Sequence, residues 1–464
     1  MLHSIYILLI FFVVEQSPQP SRDFIFLSFF CLTVAANSSS AHAMHASTPW
    51  LLTLSLIVGG ALAVSAAASH ATPAAKPAYA DASYTPGAHP PSAKQLEALG
   101  KQLFFDRGLS ASGRMSCASC HSPDHAYGPP NGLAAQLGGM DGKQPGTRAV
   151  PSLRYLQNVP AFSEHFHDND GNDSEDAGPT GGFTWDGRAD STHSQAALPL
   201  LAANEMANGT AENVARKLQA SPVAATFRQL FGKDVFQRPK QAFDKAVLAL
   251  EVFQQNPAEF YPYSSKYDAY LRGQAQLSAA EMRGLRVFND PAKGNCASCH
   301  LSQRSESGAF PSFSDFGHIA VGAPRNPDIA ANRDGHYYDL GLCGPARTDF
   351  RNRADYCGLF RTPGLRNVAT RKVFFHNGVF HDLRQVLRFY AERDVKPEKW
   401  YPAGQNGKLA KFDDLPARYQ GNVNMEAPFG GKKGGKPAYG ERDIDDMLAF
   451  LKTLNDGYQP GKRG

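Results

Sequence analysis

The chain has 464 residues, of which 42% are hydrophobic and 19% charged, with a formal net charge of +4. This composition describes a core-forming globular protein and excludes an intrinsically disordered one. So small a charge on so long a chain also lacks the concentrated basic footprint that nucleic-acid binding needs.

Two apolar blocks open the chain. The first covers residues 1–14 and resumes at 24–36; the second, residues 50–68, follows Met44 and ends in small residues before Ser69, His70 and Ala71. Residues 1–71 thus read as a leader whose working signal peptide starts at Met44, with Ala78-Tyr79-Ala80 as a second cleavage candidate. No Lys or Arg lies between Met44 and the apolar block, so an uncleaved membrane anchor is the alternative, and only then would the protein touch a membrane. Both readings place the remainder outside the cytoplasm, in the periplasm. Residues 72–91, rich in Ala and Pro, read as a flexible linker. Beyond it, 42 Gly and 32 Pro with no sustained alternation predict a mainly α chain of short helices and long loops.

An internal duplication organises this part. Residues 92–106 (SAKQLEALGKQLFFD) and 278–290 (SAAEMRGLRVFND) share helical apolar spacing, with Gly100, Phe104 and Asp106 in register with Gly284, Phe288 and Asp290. Ser92 and Ser278 are each placed to cap their helix. The first segment leads to Cys117, Cys120 and His121, the second to Cys296, Cys299 and His300, both as Cys-Ala-Ser-Cys-His. The repeat predicts two cytochrome c-like domains, 92–270 and 271–464, with closing helices at 241–254 and 442–454 and a seam near 263–273. Cys-x-x-Cys-His is the attachment signature of c-type haem: two thiols bond the haem vinyl groups and the adjacent imidazole ligates iron. The alternatives are a redox dithiol, which wants a βαβ setting, and zinc, which wants both cysteine pairs in one knuckle. Two covalent haems c are therefore expected, with His121 and His300 as metal ligands.

Around these motifs the chain resembles the di-haem cytochrome c peroxidase and MauG family. The resemblance rests on Leu109-Ser110, Gly113 and Ser116 before the first motif, Pro151-Ser152-Leu153, Trp185-Asp186-Gly187-Arg188, Gln195-Ala196, Pro199 and Glu205-Met206. It continues through Pro363-Gly364-Leu365-Arg366-Asn367-Val368 to Phe375-His376-Asn377-Gly378. It implies that peroxide reacts at the N-terminal haem, with Glu205 moving a proton between the peroxide oxygens and Gln195 orienting the ligand. It also implies that Trp185 relays electrons between the haems. Read without the resemblance, Glu205 would be a solvated helix-end residue and Trp185 a core residue.

For the second haem the peroxidases of the family place a Met opposite the proximal His, whereas MauG places a Tyr; the matching residue here is Tyr390. Asp382-Leu383-Arg384-Gln385 resembles a capping box, after which Leu383, Val386, Leu387 and Tyr390 share one helix face. The alternatives are a buried Tyr hydrogen-bonded in the core, with Met425 as a substitute ligand. The removable distal His of the peroxidases has no match between Gly128 and Pro151; His125 lies closer to the motif, so the first haem is expected to be open. The family's interdomain calcium uses an Asn side chain where this chain has Ala149, with carbonyl donors at Arg371 and Val373, which gives calcium little support.

Cys343 and Cys357 are expected either as a disulfide, in an oxidising compartment, or as free buried thiols. The acidic stretch 168–176 (DNDGNDSED) lacks EF-hand spacing and reads as a solvated loop. Three functions follow: a peroxidase taking electrons from a c-type cytochrome or similar donor, a MauG-like oxidase acting on a partner protein, and an electron carrier without turnover. A carrier has no use for a Gln/Glu pair beside an open iron.

Overall fold

The computed structural model describes residues 90–167, 176–404 and 407–461. The leader with Met44, the linker as far as His89 and the acidic residues 168–175 lie outside the described residues. Eleven α-helices follow in order among those described: α1 Ala93–Phe105, α2 Cys117–Cys120, α3 Thr192–Leu201, α4 Ala211–Ala220, α5 Ala224–Phe231, α6 Pro239–Gln254, α7 Pro257–Phe260, α8 Lys266–Leu271, α9 Ala279–Asn289, α10 Leu383–Glu392 and α11 Glu441–Lys452. The longest has 16 residues. Strand structure is confined to two short antiparallel pairs, β1 Leu137–Gly138 with β2 Gln144–Pro145 and β3 His318–Ile319 with β4 Phe360–Arg361. The mainly α expectation is met, and no described helix is long and apolar enough to cross a membrane.

The duplicated segments fold alike because the same residues do the same work in both. Ser92 and Ser278 each cap a helix through a reciprocal box: the serine oxygen accepts from Gln95 or Glu281 N–H at 3.3 Å, and those side chains accept from the serine N–H at 2.9 and 2.6 Å. Gly100 and Gly284 let their helices touch the backbone of a partner helix. A Cβ on Gly100 would lie 1.9 Å from the Ala249 oxygen of α6; one on Gly284 would lie 2.0 Å from the Asp446 oxygen of α11. One turn on, Phe104 packs edge-on against Phe253 at 5.5 Å between centroids, and Phe288 against Phe450 at 5.2 Å. Asp106 and Asp290 end the helices by accepting from Gly108 and Ala292 N–H at 2.7 and 2.9 Å.

Each crossing seeds its own core. One apolar cluster runs from Leu99 and Phe104 to Phe253 and Phe260; a second runs from Tyr267 and Phe288 to Phe450 and Leu454. Tyr267 of α8 already belongs to the second. Ion pairs join the flanking loops: Arg148 bonds both Asp186 and Asp339, and Arg154 bonds Asp456 at 2.8 Å. Cys343 and Cys357 form a disulfide beside a small third cluster with Leu342 and Tyr356.

Candidate functional site: two Cys-x-x-Cys-His motifs and the residues between them

The four motif cysteines remain unpaired while Cys343 and Cys357 are bonded. Burial pushes the thiols of Cys117 and Cys120 up to about 12 and about 11, and those of Cys296 and Cys299 likewise. Thiols raised by burial lack the depressed pKa of a redox dithiol, and the two pairs sit against separate cores, not in one zinc knuckle. The histidines are built for one metal bond each. His121 Nδ1 faces the Tyr127 carbonyl at 3.1 Å and His300 Nδ1 faces the Phe313 carbonyl at 2.8 Å. A carbonyl only accepts, so Nδ1 carries the proton and Nε2 keeps its lone pair for a metal. Burial lowers both imidazoles to about 4, which keeps them neutral.

At the first motif, α3 carries Gln195, and the turn after it carries Glu205. The Glu205 backbone is fixed on both sides: its N–H donates to Ala202 O at 3.1 Å, and its carbonyl accepts from Gly139 N–H of the β1–β2 hairpin at 2.8 Å. Glu205 stands at an exposed position, yet near enough to the motif that its charge adds to the burial that raises the Cys117 and Cys120 thiols. Desolvation raises the Glu205 carboxyl above the usual carboxylate range, and Arg188 draws it back. Neither the Glu205 carboxyl nor the Gln195 amide has a hydrogen-bond partner among the described residues. The pair is held by backbone and left free at its functional atoms.

A continuous cavity links the second motif to the middle of the molecule; Cys296, His300, Tyr390, Trp185, His376 and Arg361 line it. Trp185 is 9% exposed, donates its indole N–H to the Ala149 carbonyl at 2.7 Å and lies edge-on to His376, 6.5 Å between centroids. Tyr390 leaves α10 toward the motif, stacked between Phe375 at 5.9 Å and Phe429 at 5.1 Å. Asp382 caps α10 through the N–H of Arg384, not that of Gln385, and Gln385 makes no return bond, so a simple cap replaces the expected box. The Tyr390 phenol is held well above its ordinary value by burial and the Cys296 and Cys299 thiols. Its hydroxyl has no hydrogen-bond partner among the described residues. By contrast Tyr127, Tyr155, Tyr267, Tyr401 and Tyr439 each donate to an oxygen, at 2.7, 2.5, 2.9, 2.6 and 2.8 Å. Tyr390 is only partly buried and lines the cavity, so its hydroxyl is not tied to a protein acceptor as those of the core tyrosines are. Met425 is 48% exposed and its sulfur faces Arg393 at 3.3 Å, away from a ligand's place. His125 bonds Ser122 at 3.2 Å, and His165 is an exposed partner of Asp176.

Two arginines that sequence reasoning passed over test whether haem fits. Arg361 is 7% exposed, and Arg371 lies on the cavity wall beside His121; burial lowers both guanidinium groups to about 10. Neither forms an ion pair with a described carboxylate. Arg361 is the enclosed cation without an anion that calls for one from the ligand, and haem brings carboxylates, whereas Arg371 spends Nε and Nη2 on the Val373 and Val150 carbonyls. Both flank the Pro363–Val368 segment, where a charge in an otherwise apolar stretch was the available signal.

A family model described as di-haem cytochrome c peroxidase matches residues 94–276. The methylamine utilization protein MauG of Paracoccus denitrificans is 35% identical over 80% of this chain and 91% of its own length. The chain belongs to the di-haem cytochrome c peroxidase and MauG family. The diheme peroxidase BthA of Burkholderia thailandensis is 38% identical, with a TM-score of 0.69 over 79% of this chain and 87% of its own; a tyrosine-to-methionine variant of it aligns at 0.70. The cytochrome c peroxidase Ccp of Escherichia coli is 24% identical over 80% of this chain and 60% of that protein. Membership makes this a peroxidase-like oxidoreductase and implies two c-type haems. With the family known, the free dithiols, the oriented imidazoles and the anion-seeking Arg361 agree on one cofactor, carried twice.

Proposed function

We propose that this exported family member reduces hydrogen peroxide at the haem of residues 92–270, with electrons passing through the haem of residues 271–464 from a c-type cytochrome or similar donor. The observation that carries it is Glu205, its backbone fixed between Ala202 and Gly139, close enough to Cys117 and Cys120 to raise their thiols, and with its carboxyl unbonded among the described residues. The reaction consumes one peroxide, two electrons and two protons and yields two waters. Bound haem supplies the electron-transfer chemistry. Cys117, Cys120 and His121 would hold the first haem, and Cys296, Cys299, His300 and Tyr390 would hold the second. Glu205 takes the proton from one peroxide oxygen and returns it to the other, which a carboxyl raised above its usual range does well near neutral pH. Gln195 is neutral and orients the oxygen without competing for the proton. Trp185, fixed by its bond to Ala149, is the bridge between the two sites.

A second reading is favoured by one observation, the Tyr390 hydroxyl without a hydrogen-bond partner among the described residues. An anionic oxygen ligand supports higher oxidation states, whereas a thioether raises the reduction potential. That suits a MauG-like oxidase acting on residues of a partner protein. A pyridine haemochrome assay, expected to give two covalent haems, tests the shared basis. Electron paramagnetic resonance of the resting diferric protein is expected to show one high-spin and one low-spin iron that react with peroxide without prior reduction. Two low-spin signals, with activity only after half-reduction, overturn the open first site. Stopped-flow trials with reduced cytochrome c against candidate partner proteins then separate the two readings.

A further inference from the structure

Of the donors that the family resemblance assigns to calcium, the side-chain oxygen at 149 is missing and the Val373 carbonyl is engaged otherwise in this chain. Ala149 has no side-chain oxygen, and its carbonyl accepts the Trp185 indole N–H at 2.7 Å. The Val373 carbonyl accepts from Arg371 Nε at 3.3 Å, and the Val150 carbonyl accepts from Arg371 Nη2 at 3.0 Å. The Ala149, Val150 and Val373 carbonyls thus each face an N–H donor, and no group of three His, Cys, Asp or Glu converges anywhere among the described residues. Calcium takes six to eight oxygens, carboxylates among them, and a guanidinium beside it would repel it. The donor set does not fit the ion.

We propose that the Arg371 guanidinium is the resident cation at this position, replacing a divalent metal and positioning Trp185 between the two haem sites. Its fork spans the chain: Nε holds the 371–373 segment and Nη2 holds Val150, which neighbours the residue that carries the indole bond. Ala149 N–H in turn donates to the His376 carbonyl at 2.7 Å, so the segments bearing Trp185, His376 and Arg371 form one bonded unit. An arginine suits this task, because its planar group can bond two carbonyls at once and stays charged throughout the working pH range. A metal held here could be stripped or exchanged, whereas a side-chain cation cannot. Arg371 is a positioning residue in this scheme; it touches no reacting atom. The inference rests on Trp185 lying between the haems and is independent of the proton transfer assigned to Glu205.

The test uses the resting, haem-loaded protein without peroxide, so its outcome is separable from failure of the peroxide chemistry. Elemental analysis is expected to find calcium well below one ion per chain. Dialysis against EGTA, then calcium, should leave the resonance spectrum and both midpoint potentials unchanged. Stoichiometric calcium whose removal shifts either readout overturns the proposal. Arg371→Gln is expected to shift the low-spin signal while both haems stay bound; an unchanged spectrum and unchanged potentials overturn it. Should that variant lose haem, Ala149→Asn with Arg371→Thr decides, because it restores an oxygen set. Calorimetry should detect calcium uptake there and none in the parent; no uptake by the double variant overturns the replacement.

Discussion

Gly284 meets Asp446 so closely that a Cβ on Gly284 would stand 2.0 Å from the Asp446 carbonyl oxygen. The helix crossing of the second core therefore rests on a missing side chain, and Gly100 against Ala249 repeats it in the first. Gly284→Ala should destabilise by about 1–3 kcal/mol through overpacking, and Gly284→Val by more. Gly335→Ala is the control, because nothing lies within 4 Å of the added carbon. Denaturant titration of the haem-loaded protein reads the difference; equal midpoints for the Gly284 and Gly335 variants would show that the crossing tolerates a methyl group.

His193 of α3 bonds two carboxylates of α6, Glu251 through Nδ1 at 3.1 Å and Asp244 through Nε2 at 3.0 Å. Both nitrogens donate only when the ring is charged, and these bonds raise its pKa to about 9 despite the opposing effect of burial. A raised folded-state value means that the folded protein holds a proton the unfolded chain releases near 6.5. The stabilisation is fully present below that point, declines as pH rises, and is lost once pH passes the folded value. The groups are partly exposed, so about 1–2 kcal/mol is expected after allowing for solvent screening. Melting temperatures across this window should fall more steeply for the parent than for His193→Asn. Parallel curves would remove the ion bridge from the account.

Both haem motifs, both serine caps and the Gly/Phe/Asp register were legible in the sequence because each is a local pattern with a fixed spacing. The face of α10 that carries Tyr390 was legible for the same reason. Arg371 was not: its partners are carbonyls at Val150 and Val373, and the first lies 221 residues away. Backbone oxygens carry no residue identity, so no motif announces such a bond. The His193 bridge was missed likewise, since Asp244 and Glu251 lie two turns apart on a different helix. The simple cap at Asp382 shows the reverse limit, a box pattern present in sequence that the fold does not make.

Glu205→Gln keeps the shape of the side chain but cannot accept a proton. The peroxide step should slow by roughly 10²–10⁴-fold, with both haems retained and the resting spectrum unchanged. Because desolvation raises the Glu205 carboxyl, the parent's rate should fall on acidification at a pH above the ordinary carboxylate range, and the variant should lose that limb. Stopped-flow mixing with peroxide across pH checks both; a Gln variant reacting at the parent rate would assign the proton transfer elsewhere.

The Tyr390 hydroxyl makes no hydrogen bond to a described residue, whereas the Tyr439 hydroxyl donates to the Leu387 carbonyl at 2.8 Å. The two tyrosines should therefore respond oppositely to loss of the oxygen. Tyr439→Phe gives up a buried hydrogen bond and should cost about 0.5–1.5 kcal/mol while leaving the spectrum of the second haem alone. Tyr390→Phe gives up no hydrogen bond to a described residue, so stability arising from the polypeptide should hold; if Tyr390 is the proposed ligand of the second iron, the low-spin signal should change. Tyr390→Met supplies a thioether in its place and should raise the midpoint potential of that haem. Peroxide should still react at the first site in both Tyr390 variants, because Glu205 and Gln195 are untouched. The oxidised state that follows should decay faster with Met, since a neutral sulfur ligand supports high oxidation less well than an anionic oxygen. Resonance spectra, spectroelectrochemical titration and the decay rate after peroxide give three separate readings. An unchanged low-spin spectrum and potential in Tyr390→Met would make Tyr390 a packing residue held only by Phe375 and Phe429, and the sixth ligand of the His300 haem would have to come from elsewhere.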